Sequence, residues 1–132
     1  MELVVDTSAV VAVLIREPQR AALIDVTKSA DLIAPPSVHW EIGNAFAAMF
    51  KRHRLSLGTA RSALEAYRQI PIRFSEVQLD RAMELAEHLN IYAYDAYVIL
   101  CAMQHRCALV SIDHGLQLAA ARVGVRAMEI RT

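Results

Sequence analysis

Cysteine occurs only at positions 101 and 107, with no CxxC pair and no histidine-rich metal spacing. That excludes a disulfide framework and leaves two reduced thiols in a core. Glycine and proline number four each, and 55% of the residues are hydrophobic. So little chain-breaking material excludes low-complexity or disordered sequence and predicts one compact domain over residues 1–132 with a full core. No apolar run approaches the roughly 18 residues of a membrane span, and "MELVV" is too short an opening for a signal peptide. The expectation is a soluble, cytoplasmic protein with no membrane partner. Net charge is also missing: 14 basic residues offset 14 acidic ones, so no global field draws the chain to a polyanion. Any nucleic acid must be held locally.

The charge is unevenly spread. From Lys51 to Arg73 six basic residues (Lys51, Arg52, Arg54, Arg61, Arg68, Arg73) face one acid, Glu65, whereas Glu76 to Asp95 holds five acids against Arg81. Two solvated helix faces explain this pattern, and so does a basic rim beside an acidic cleft.

Along the chain, short β-branched runs alternate with helical periodicity. Leu3–Val5 reads as a strand running into Asp-Thr-Ser, which offers cap chemistry for an apolar helix over Ala9–Ile15. Glu17-Pro18 breaks that helix and "QRAALIDVTK" resumes as a second one. Leu32–Ala34 is a brief strand ended by Pro35 and Pro36, with Ser37 placed to cap a helix over Val38–Arg52. Leu57–Gln69 predicts a helix and Ile72–Phe74 a strand; Ser75 is placed to cap the next helix, which Asn90 closes. A helix from near Ala93, a strand at Leu109–Val110, a helix stopped by Gly124 and a last strand over Val125–Ile130 complete the chain. Alternation of this kind indicates parallel βαβ units: an α/β fold, a three-layer α/β/α sandwich on a mainly parallel, roughly five-stranded sheet.

Parallel sheets gather ligands at the carboxyl ends of their strands. Asp6 and Asp113 fall just after two of the strands, and Glu41 and Asp95 in the first turns of two helices, each within apolar sequence ("VVDTS", "SIDHG", "HWEIG", "AYDAY"). Singly, Asp6 is equally a helix cap, Asp95 a first-turn acid favoured by the helix dipole, and Asp113 a turn residue. Together, four carboxylates on one rim repel one another unless cations intervene. Hard oxygen ligands suit Mg²⁺, with Mn²⁺ as substitute, and such a site supports in-line phosphoryl displacement by an activated water.

The order and spacing of "VVDTSAVVAVLIREP", "PPSVHWEIGNAF", "YDAYVILCAMQ" and "LVSIDHGLQLAAARVGV" resemble the PIN-domain family, and within it the VapC toxins of type II toxin-antitoxin modules. The resemblance implies a Mg²⁺-dependent endoribonuclease that cleaves transfer or ribosomal RNA. It further implies neutralisation by a VapB-type, DNA-binding antitoxin. Carried over, Asp6, Glu41, Asp95 and Asp113 are its catalytic and metal-holding residues. Thr7 and Ser8 match the hydroxyl positions after the first Asp, and Asn44 a polar position one turn after the Glu, facing the same way. Lys51, Arg52 and Arg54 become candidate RNA contacts, as one wall of a groove. The sequence departs from the family in placing His114-Gly115 after the last Asp, which loosens the expected geometry around Asp113. His114 reads as an exposed turn residue or a phosphate contact, and His39 as turned to a different helix face from Glu41. Trp40, Phe46, Phe50 and Tyr67 read as core, dimer or base-stacking residues, and the apolar helix over Ala45–Phe50 makes a homodimer plausible.

Two other readings belong to different classes. A catalytically weak PIN-like module that binds RNA or a partner without cutting is the first. The second is an Asp-based phosphatase or receiver, which the sequence opposes: position 8 is Ser where a second Asp is needed, and no Lys follows Lys51.

Overall fold

The computed structural model describes residues 1–131. Elements follow in the order β1 (Glu2–Val5), α1 (Thr7–Leu14), α2 (Arg20–Thr27), β2 (Asp31–Ala34), α3 (Ser37–Lys51), α4 (Leu57–Gln69), β3 (Ile72–Phe74), α5 (Leu79–Leu89), α6 (Ala93–His105), β4 (Ala108–Val110) and α7 (His114–Arg122). The four strands form one sheet in the order β3-β2-β1-β4, with every pairing parallel. Leu3 aligns with Leu32 and Ala108, and Leu32 in turn with Ile72.

This order fixes where a ligand site belongs. The chain steps outward from β1 through β2 to β3, then returns across the sheet to lay β4 on the other side of β1. Right-handed crossovers therefore put α1–α4 on one face and α5 and α6 on the other. In agreement, α1 packs against α2, α3 and α4, and α6 against α5, β1 and β4. The direction of winding reverses between β1 and β4, and the crevice beyond their carboxyl ends is the place such folds use for chemistry.

Burial is deepest on the central strands and on α6. Val4, Ile33, Leu109 and Val110 are fully buried in the sheet, with Ile99, Leu100 and Cys101 of α6 packed over it. Both cysteines are free. Asn90 (φ 55°) closes α5 and Gly124 (φ 79°) follows α7 with residues suited to the left-handed region, while Arg106 (φ 51°) closes α6 there without that advantage. Among the described residues, no helix is long and apolar enough to cross a membrane.

Three local expectations are corrected. The sheet has four strands rather than five, because Val125–Ile130 contributes only a single parallel bridge between Leu109 and Ala127. The start of that segment is committed elsewhere, Val125 N donating to Ala120 O at 3.0 Å to close α7, and β4 itself spans three residues. Ser37 is not the cap of α3: Pro36, already helical at φ −57°, takes that position and the helix begins at Ser37. Glu41 is consequently its fifth residue, one residue deeper than expected and just past the first turn. Nor does Ser75 cap α5. Its N–H extends the sheet by donating to Ala34 O (2.9 Å), its hydroxyl pairs with His105 Nε2 (2.9 Å), and α5 starts only after the extended Gln78.

Ile99 is fully buried where α6 crosses the sheet. Truncation there removes apolar contact and leaves a cavity, so Ile99→Ala should destabilise the fold by about 2–5 kcal/mol, read as a lowered urea midpoint with unchanged slope.

Candidate active site

The first carboxylate is set by strand and helix at once. Asp6 follows β1 with an extended backbone (φ −98°, ψ 173°) and caps α1, its Oδ1 accepting from Ala9 N at 2.9 Å. It is only 5% exposed. The Ser8 hydroxyl lies 2.8 and 2.9 Å from its two oxygens, and Ser111 Oγ donates to Oδ2 at 2.6 Å. The cap and the ligand readings of Asp6 are thus compatible, since one carboxylate starts the helix while being clamped rigidly at the crevice. Its pKa is nevertheless raised, first by burial and also by Asp113, against the lowering effect of those hydrogen bonds.

Asp113 comes from the neighbouring strand. It follows β4, caps α7 by accepting from Leu116 N at 3.1 Å, and is exposed. Ser111 ties the two strand ends together, because the hydroxyl that donates to Asp6 also accepts from Asp113 N at 3.0 Å. Ser8 reinforces the tie by accepting from Ile112 N at 3.1 Å.

Two helices complete the rim. Glu41 of α3 is half-buried, and its pKa is pushed up to about 7 by burial and then by Asp95 and Asp6. The Thr7 and Ser37 hydroxyls lie near enough to favour its charged form without reaching hydrogen-bond geometry; Glu41 Oε2, Thr7 Oγ1 and Ser37 Oγ are all buried without a partner. Asp95, in the first turn of α6, is raised by burial and by Asp113. The four carboxylates therefore act on one another electrostatically. Among the described residues the ion pairs lie elsewhere, at Lys28–Asp25, Arg68–Glu65, Arg73–Glu2 and Arg131–Glu129.

Residues 3–122 match the PIN domain. The chain belongs to the PIN-domain family. Within that family it is 34% identical to a VapC ribonuclease of Mycobacterium bovis and to ribonuclease VapC9 of Mycobacterium tuberculosis, over 84% of this chain and 85% of each relative. Its fold is shared with a crystal structure from Pyrobaculum aerophilum (TM-score 0.71, 20% identity, 90% of this chain and 79% of that one). It is shared also with VapBC2 from Rickettsia felis, solved bound to a promoter DNA fragment (TM-score 0.67, 14% identity, 98% of each chain).

The PIN domain treats the other candidates unequally. Ser8 clamps Asp6, while Thr7 Oγ1 stays unpartnered. Asn44 is exposed on α3, and no side-chain hydrogen bond of it occurs among the described residues. Lys51 ends α3 ten residues beyond Glu41, about 15 Å along the axis, so the structure does not bring the basic trio to the carboxylates. Instead Arg52 and Arg54 join Arg16 and Arg20 around a cleft of about 790 Å³ floored by Met49 and Leu55. His39 pairs with Tyr67 (Nδ1 to hydroxyl, 3.3 Å). Phe46 and Tyr67 are core, whereas Trp40 is 71% exposed. His114 is exposed at the start of α7. Gly115 does not loosen Asp113: a Cβ there would meet Asp113 Oδ1 at 3.3 Å, so glycine gives the carboxylate its clearance. Ser111 is the residue that sequence reasoning missed. Fully buried and further fixed by Gln117 Nε2 donating to its carbonyl (2.7 Å), it was signalled only as a hydroxyl following a strand two residues before an acid.

The donors at the rim fit a divalent ion. They are all hard oxygens, Glu41 Oε2 lacks a partner, and burial with mutual repulsion penalises the bare anions. No compact group of three metal-binding side chains occurs among the described residues. That looseness suits Mg²⁺, which keeps several waters and binds through one or two carboxylates.

The sign of the Glu41 shift gives a measurable pH dependence. Between 4.5 and about 7 the folded protein holds a proton that the unfolded chain has released. That stabilisation is complete below the unfolded value and lost as pH rises through the folded one. In chelator, the urea midpoint should fall between about pH 4.5 and about pH 7, and Glu41→Gln should flatten the fall. Ser111→Ala, which strips a buried carboxylate of a donor, should cost about 1–3 kcal/mol in the same assay.

Proposed function

We propose that this PIN domain is a Mg²⁺-dependent endoribonuclease toxin, acting in the cytoplasm on transfer or ribosomal RNA as a homodimer and neutralised by a VapB-type, DNA-binding antitoxin. One observation carries the catalytic part: Glu41, half-buried beside Asp95 and Asp6, is raised to about 7 with an unpartnered oxygen. A rim so short of positive charge is built for a cation and for the phosphate that follows it. The names of the mycobacterial relatives support the ribonuclease reading, and the Rickettsia felis neighbour, a VapBC pair, supports the antitoxin.

In this reading Asp6 and Asp95 would hold the ion, with Asp113 completing the rim; when bound, it would supply positive charge at the scissile phosphate and make water more acidic. Glu41, beside Asp95 and Asp6, would take the proton of the attacking water once the ion offsets its neighbours' charge. Ser8 and Ser111 keep Asp6 from rotating away. The basic cleft around Arg16, Arg20, Arg52 and Arg54 holds flanking phosphates at a distance from the cut.

Expression without antitoxin should arrest growth, and Asp6→Asn or Asp95→Asn should abolish the arrest while leaving thermal stability intact or improved. With purified protein, Glu41→Gln should lower kcat on single-stranded RNA by about 10²- to 10⁴-fold. Calorimetry should detect Mn²⁺ binding that Asp95→Asn removes. Arrest that persists in the folded Asn variants, or no binding at millimolar Mn²⁺, would favour a non-catalytic module instead.

A further inference from the structure

Beside the carboxylate rim, on its β2–β3 side, lies a hollow of about 220 Å³ that the proposed chemistry leaves unused. Its walls come from the exit of β2 (Pro35, Pro36, Ser37), the exit of β3 (Glu76, Val77) and the first turns of α6 (Tyr97). Both β2 and β3 run parallel to β1, so these exits open on the same edge as Asp6. Ser37 belongs to both places: it lines the hollow, and its hydroxyl lies toward Glu41.

The chemistry of the lining selects an occupant. Pocket volumes for drug-sized ligands start near 300 Å³, so this hollow takes one ring system rather than a whole nucleotide. Proline rings, Val77 and the Tyr97 ring offer flat apolar surface of the kind on which a nucleobase stacks. Tyr97 is braced from outside by Tyr94, their rings 6.2 Å apart at 80°. One charged group breaks the apolar lining, since the Ser37 hydroxyl is itself enclosed and lies toward Glu41. Glu76 presents a carboxylate, which repels phosphate and accepts N–H groups. A base with two adjacent N–H donors answers a carboxylate best, and guanine supplies them on its Watson–Crick edge.

We propose that this hollow is a base-specificity subsite that receives an unpaired guanine next to the scissile phosphate, with Tyr97 and Pro36 as stacking walls and Glu76 as its polar contact. The proposal rests on the ribonuclease reading for its RNA. It adds what the carboxylates alone do not supply, a preference for where an unpaired strand is cut. Duplex is excluded on the same ground, since a paired guanine has its Watson–Crick edge occupied.

The test separates binding from cleavage. Fluorescein-labelled single-stranded RNA nonamers, uridine throughout except for one central guanine, inosine, adenine or uridine, are titrated with the full chain in EDTA and followed by anisotropy. Guanine should bind tightest. Inosine, which lacks only the exocyclic amino group, should bind at least about fivefold more weakly, the lower end of what one bidentate base contact discriminates. Glu76→Gln, an exposed position where folding is not at stake, should erase the guanine–inosine difference while leaving uridine binding within twofold. Equal affinity for all four nonamers, or a guanine preference unchanged in Glu76→Gln, overturns the subsite. A hollow filled by a second copy of the chain instead would show as dimer dissociation in Glu76→Gln by sedimentation, and would equally overturn it. Addition of Mn²⁺ to the same nonamers reads the other claim: uniform cutting without base preference defeats the subsite and leaves the nuclease standing. Guanine-selective binding without cutting does the reverse.

Discussion

A carboxylate that is 95% enclosed is clamped at the end of the central strand by two serine hydroxyls and one backbone N–H, and no basic side chain neutralises it. Burial of that kind costs several kcal/mol unless hydrogen bonds or an ion answer it. At Asp6 the hydrogen bonds answer part of it, yet the pKa still rises. The remaining tension is what the rest of the rim inherits. Ser111 passes the clamp to Asp113 across the β1–β4 crevice, and Glu41 and Asp95 approach from helices on opposite faces of the sheet. Topology explains why these four groups meet. Both strand ends border the switch point, and α3 and α6 begin on the same edge.

Stability and function pull against each other here. Glu41, which lowers stability as pH rises through its folded value near 7, is among the groups a divalent ion would stabilise, so folding and ligand binding draw on one electrostatic reservoir. The protein places this strain on its best-anchored elements. Val4, Val5, Leu109 and Val110 behind the crevice are essentially inaccessible, and the left-handed Asn90 and Arg106 fix where α5 and α6 stop. A rim built on rigid strand ends holds its spacing when empty of counter-charge, which a mobile loop would not.

Much of this was legible in the sequence because the signals are local. The alternation of strands and helices, the Asp6 cap, the Asn90 stop and the four acids in apolar surroundings are all read within a few residues. What was hidden depends on distant partners. Ser111 looks like any hydroxyl until its oxygen meets Asp6, 105 residues away. Arg52 and Arg54 suggested an RNA wall near the carboxylates, but the length of α3 carries them to the far end, beside Arg16 and Arg20. The fifth strand failed because Val125 closes α7 before pairing, a competition between neighbouring hydrogen bonds that β-propensity does not register. Proline at helix position zero likewise outranked serine, moving Glu41 one residue further into the helix.

The rim is short of positive charge, and the proposed divalent ion would complete it. The most direct test is the titration of the Glu41 side-chain carboxyl by ¹³C NMR, first in chelator and then with saturating Mg²⁺, using Glu41→Gln to assign the resonance. The expected midpoint is near 7 without metal, displaced toward or below the ordinary 4.5 with it. A Glu41 that titrates near 4.5 in chelator and is indifferent to Mg²⁺ would contradict a rim completed by the ion.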